Sequence, residues 1–145
     1  MDGRIHAYQA NDTLGRSQID LILKVYDGAI KAFRDADSHY DAGNNDAGFE
    51  QMERAKRFIT HLYTTLDFEQ GGEVALSLAK VYVHIINESN VIQATKSREK
   101  IEVIIGILDQ VRSGWQRLKE QGVEAQPVAD AVPASVPEGG FVISG

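Results

Sequence analysis

The chain has 145 residues, with 15 Lys and Arg against 21 Asp and Glu, a net charge of −6. It contains no cysteine, and its 3 prolines, Pro127, Pro133 and Pro137, all lie beyond residue 126. These counts exclude a disulfide framework, a thiol nucleophile and a Cys-ligated metal, disfavour binding to a phosphate backbone, and favour helices with short links over proline-punctuated sheets.

The length suits one domain with a core of its own. Residues 1–16 are polar and carry Gly3 and Gly15, which reads as a mobile N-terminal arm. From Ser17, a plausible N-cap, the apolar positions Ile19, Ile22, Tyr26, Ala29, Phe33, Ala36 and Tyr40 alternate steps of three and four, the seam of an amphipathic helix. The DAGNND stretch at 41–46 ends it. A second helix is predicted from about Asp46, with Met52, Ala55, Ile59, Leu62 and Leu66 in its seam, until FEQGG at 68–72.

A third helix is predicted from about Gly72 to Ser89, through Val74, Leu78, Val81 and Ile85, with a link at 90–95. The fourth starts near Thr95 or Ser97 and carries Ile101, Ile104, Leu108, Val111, Trp115 and Leu118, with Gly122 just past its end. Four helices of this length with short links must alternate direction. The expected fold is therefore all-α, an antiparallel up-down-up-down four-helix bundle spanning 17–122 with a flexible N-terminal arm. Residues 123–145 turn to Gly, Val, Ala, Pro and Ser without period, a disordered C-terminal tail whose apolar FVISG stretch could dock or do nothing. Three of the 21 acidic residues, Glu124, Asp130 and Glu138, fall in that tail, leaving 18 against 15 basic residues and only −3 on the rest.

No apolar run approaches ~18 residues, and the opening MDGRIHAYQAND lacks an apolar core. Neither a membrane span nor a secretory signal is expected, which places the protein in the cytoplasm. Signals for catalysis are equally thin. A di-iron bundle needs Glu-x-x-His pairs, but the residues three before His39, His61 and His84 are Ala36, Phe58 and Val81. His84 and Glu88 could share a surface metal or simply be polar helix positions. No nucleophile elbow or phosphate loop is present. Asp67, Glu69 and Glu73 could do acid/base work, but carboxylates at a helix start are favoured by the helix dipole. The expectation is no enzyme, no metal and no cofactor.

The sequence instead has more apolar positions than one core needs. On the third helix a second stripe, Leu76, Ala79, Val83 and Ile86, is centred roughly 110° from the seam at about 100° per residue. On the fourth, Val103 and Ile107 lie to one side of the seam, with Gly114 on the same side. Gly106 and Gly114 each cost about 1 kcal/mol in a helix interior, which suggests an offsetting packing benefit, and Gly28 poses the same question. A wide core, a homodimer or a groove for partner helices would all account for these stripes.

Three strings narrow the choice. VYDGAIKAF at 25–33 resembles the Leu-Tyr-Asp-Gly-Ala-Ile signature of the FliS family, export chaperones of bacterial flagellin. TLDFEQGGEVALSLAKVYVHI at 65–85 is similar to the family's Ser-Leu-Asp-x-Glu-x-Gly-Gly-Glu-Ile-Ala stretch, and IIGILDQVRSGWQ at 104–116 to its leucine-rich run ending in Arg-x-Ala-Trp. They occur in family order and spacing over about residues 8–121. Two departures stand out: the family's Thr-Ala-Ser-Pro start reads Leu14-Gly15-Arg16-Ser17-Gln18 here, and its Leu-Tyr-x-Tyr reads Val81-Tyr82-Val83-His84.

The resemblance implies a cytoplasmic chaperone that binds the C-terminal segment of flagellin, prevents premature polymerisation and assists delivery to the type III export apparatus. That segment would gain helical order on a groove formed by Leu76, Ala79, Val83, Ile86, Val103, Ile107 and Gly114. It also implies that the arm, with Tyr8, competes for the groove in the free protein, and marks Tyr26, Asp27 and Gly28 as signature positions. Export-gate components or an anti-sigma factor stay open as second partners. The alternative is a helical homodimer or regulatory protein with no flagellin client.

Overall fold

A computed structural model describes residues 2–122, with side chains from residue 18 onward. It contains four helices, α1 (Asp2–Asp41), α2 (Asn45–Thr64), α3 (Phe68–Thr95) and α4 (Arg98–Glu120). Links of two or three residues reverse the chain each time, so the helices form the expected antiparallel up-down-up-down bundle. α1 packs closely along both α2 and α4, α3 packs on α2, and of the neighbouring pairs α3 and α4 touch least. Among the described residues, no helix is long and apolar enough to cross a membrane.

The predicted seams form the core. Tyr26, Phe33, Met52, Ile59, Leu78, Ile85, Ile104, Leu108 and Val111 are fully or almost fully buried. Burying each such side chain contributes about 1.5–3 kcal/mol of transfer free energy, and this dominates over propensity in holding the helices together.

Four boundaries differ from the sequence reading, the first being that α2 ends at Thr64, short of Leu66, the last residue of its predicted seam. α1 starts at Asp2, so Ser17 lies inside the helix and not at its cap. The stretch contains no proline, and its two glycines cost only about 1 kcal/mol each. α3 runs to Thr95 through the expected link at 90–95, because Ser89 and Ile92 continue its buried row and the Ser89 hydroxyl donates to the Ile85 carbonyl at 2.7 Å. The true link is Lys96–Ser97: Lys96 takes a left-handed conformation (φ 59°), and the Ser97 side chain accepts from the Lys100 N–H to cap α4.

α3 also begins earlier than expected, at Phe68, but is broken at Gly72 (φ 52°, ψ −129°), a backbone state that suits glycine alone. Asp67 caps the short first turn, its Oδ1 accepting from the Glu69 and Gln70 amides at 3.0 Å each. The acidic cluster at 67–73 thus does the work expected of a helix start. Gly122 (φ 67°) follows α4 as predicted.

Candidate functional site

The signature strings meet inside the bundle. Tyr26 on α1, Tyr82 on α3 and Trp115 on α4 are all buried. The Tyr26 and Tyr82 hydroxyls share a hydrogen bond, and Trp115 Nε1 donates to the Tyr26 oxygen at 3.4 Å. One residue on, Asp27 faces Arg112 of α4, which donates to its two oxygens at 2.6 and 3.3 Å. Gly28 then admits α2: a Cβ there would lie 2.7 Å from the Phe58 ring, whose face is also covered by the Arg54 guanidinium at 5.4 Å. The question of whether a helix or a partner fills the space beside Gly28 is answered by Phe58. All three signature positions therefore hold α1 against its neighbours.

Burial pushes the Tyr26 phenol up from 10.0 to about 12, and raises Tyr82 well above its ordinary value, desolvation outweighing the mutual hydrogen bond at Tyr26. In the unfolded chain both ionise near pH 10, while in the bundle they stay neutral. Stability is therefore complete below pH 10 and falls by roughly 1.4 kcal/mol per pH unit per tyrosine as pH rises toward 12. Urea midpoints measured by circular dichroism from pH 8 to 12 should show this decline, and Tyr82→Phe should flatten it.

Ion pairs fix the register of α1 and α4. Arg98 joins Asp37 and Asp41 at 2.7 Å each, and Lys119 joins Asp20 at 2.7 Å. The shallow groove between these helices has Asp27, Asp35 and Asp109 against Lys31, Arg34 and Arg112, a balanced set. These pairs are mostly exposed, so they serve alignment more than stability.

The surplus stripes lie outside this scaffold. Leu76, Val83 and Val103 are 53%, 46% and 61% exposed. Ile86 and Ile107 are partly buried against the core, while Ala79 and Gly114 are buried. The stripes do not line a single groove. On α3 the row from Leu76 to Ile86 continues to Asn90, which accepts from Lys56 of α2 at 2.9 Å, and Ile86 and Asn90 line a groove with Glu53, Lys56, Arg57, Thr60, His61 and Thr64 of α2. That row is therefore the α2 edge of α3.

Glu88, on the other edge of α3, pairs with Lys100 of α4 at 3.0 Å. Val103, Ile107 and Gly114 follow Lys100 at helical spacing, so they lie on the α3 edge of α4. The described surface thus has an apolar row on each flank of α3.

The α2/α3 groove has its own polar clamp. Lys56 bonds Glu53 at 2.8 Å, and Gln93 Nε2 donates to Glu53 at 2.8 Å and to the Phe49 carbonyl at 3.3 Å. The Lys56 ammonium first, then Gln93, holds the Glu53 carboxyl below its ordinary pKa. With Glu53 paired to Lys56, Arg57 leaves the groove net positive. Sequence reading did not single out these α2 residues, because they lie between seam and solvent and have no motif. Among the described residues, no group of three His, Asp or Glu side chains is placed to hold a metal. Tyr8 has its backbone in α1, but its side chain lies outside the described residues, as does the whole 123–145 tail.

Gly106 faces open space, with no atom within 4 Å of where its Cβ would sit. Nothing inside the described bundle offsets its helix penalty. Gly106→Ala should stabilise the free protein by about 0.5–1 kcal/mol in urea denaturation. A loss of stability would show that some part of the chain closes on that face.

Comparison with known proteins follows the same lines. The chain is 27% identical over 106 residues to the flagellar secretion chaperone FliS of Salmonella typhimurium, covering 72% of this chain and 78% of that protein. It is 21% identical over 122 residues to the flagellar secretion chaperone FliS of Vibrio cholerae, covering 81% and 90%. The family model of flagellar protein FliS matches residues 1–122, which takes in all four helices and ends where the tail begins. With its three strings converging on one buried cluster and the match spanning the whole bundle, the chain belongs to the FliS family of flagellar proteins.

Proposed function

We propose that this chain, a chaperone of flagellar secretion, binds the C-terminal segment of flagellin in the cytoplasm, keeps it from polymerising and assists its delivery to the type III export apparatus. The observation that carries this reading is the pair of exposed apolar rows flanking α3 on an otherwise well-packed bundle. Exposed Leu76, Val83 and Val103 give nothing to the stability of the free bundle, whereas they suit the apolar face of an amphipathic helix. A client that uses both rows must wrap around the outside of α3, which a segment unfolded before binding can do. The chaperone acts by covering surface and needs no covalent chemistry. The arm that carries Tyr8 competes for the same rows in the free protein.

Co-purification with flagellin carrying or lacking its C-terminal segment tests the reading. Intact flagellin should be retained and the truncated form lost. Equal retention of both would show that another part of flagellin is the ligand.

A further inference from the structure

Residues 123–145 lie beyond the family match and combine two features that the rest of the molecule can use. They carry Glu124, Asp130 and Glu138 with no Lys or Arg, and then the apolar run Phe141-Val142-Ile143. The α2/α3 groove offers the complement: Lys56 and Arg57 against the single carboxylate of Glu53, continuing into exposed Leu76 and Val83. The α1/α4 groove, with cations and carboxylates in equal number, offers an acidic segment nothing.

Geometry permits the match. In an antiparallel bundle, the end of α4 at Glu120 lies at the same pole as the end of α2 at Thr64, where the groove opens. Between Gly122 and Phe141 lie 18 residues. Eighteen residues can span at most about 60 Å, against about 30 Å for the 20 residues of α2. Every part of the groove is within reach of residues 141–143.

From these observations we infer that the Phe141–Ile143 segment docks in the α2/α3 groove of its own bundle and competes there with the client. The inference rests on the proposed client-binding role of that face. The segment acts as a tethered occupant, held at an effective concentration set by its linker, so a client must displace it. A chaperone built this way does not leave apolar Leu76 and Val83 bare between clients.

The chain has no cysteine, so introduced pairs report on placement directly. In the full-length protein at low micromolar concentration, Val83→Cys with Val142→Cys should form an intrachain disulfide at least about tenfold faster than Val103→Cys with Val142→Cys. Equal rates, or disulfides only between chains, would overturn the docking, and this readout needs no flagellin. Full-length Phe141→Ser/Ile143→Ser should then bind the C-terminal segment of flagellin about tenfold more tightly than the parent. Unchanged affinity would overturn the competition. Failure of either form to bind flagellin would count against the client reading, while the disulfide rates still report where the tail sits.

Discussion

Trp115→Ala should destabilise the bundle by about 3–5 kcal/mol, measured as the loss of cooperative urea unfolding by far-ultraviolet circular dichroism. The indole is 5% exposed and forms the α4 part of the Tyr26–Tyr82–Trp115 cluster, so its removal leaves a cavity where three helices meet. Against a domain stability of about 5–15 kcal/mol, this is a large fraction of the total. Tyr26→Phe should cost less, about 1–3 kcal/mol, because the ring stays while the Trp115 N–H and the Tyr82 hydroxyl lose their shared partner. Leu21→Ala, at a site 61% exposed, should change stability by no more than about 0.5 kcal/mol. If Trp115→Ala unfolds within about 1 kcal/mol of the parent, the cluster is not the keystone that its burial implies.

That cluster explains why so much of the fold was legible. Tyr26, Ile59, Leu78 and Leu108 obey a period of three and four because each must face the same core, and the sequence records the constraint directly. Where the core gives out, the record fades. The α1 seam starts at Ile19, level with the end of α4, where Lys119 pairs with Asp20. Helix can continue to Asp2 without any apolar period to announce it. The misjudged link at 90–95 has a different cause. Asn90 looks like a breaker, but it sits on the groove row and accepts from Lys56, a tertiary contact that local composition does not encode.

The exposed rows were legible in part. Surplus apolar positions on α3 and α4 were visible as stripes, and Leu76, Val83 and Val103 are indeed exposed. Which helix each stripe faces was not visible, because periodicity gives an angle about one helix axis and says nothing of where the neighbours stand. The partners that decide it, Lys56 with Asn90 and Lys100 with Glu88, come from distant parts of the chain. The same limit hid the role of Gly28, whose neighbour Phe58 is thirty residues away on α2.

The separation of the two rows turns the client reading into a quantitative expectation. Val83→Asp and Val103→Asp should each weaken binding of the flagellin C-terminal segment by roughly 30-fold, about 2 kcal/mol, the scale of a hot-spot loss. Both sites are at least 46% exposed in the free protein, so helical content and melting should stay within about 0.5 kcal/mol of the parent. Ile107→Asp makes a poor substitute, because Ile107 packs against the core and a carboxylate there would be desolvated in the free bundle as well. The double variant distinguishes how the client lies. Sites on opposite flanks of α3 share no contacts, so a client that wraps both rows should lose the two penalties nearly additively, approaching a thousandfold. A client confined to one row should respond to one variant alone, and the silent row would then be free for another partner. Binding at parental strength by both single variants, with folding intact, would remove the exposed rows from the mechanism altogether.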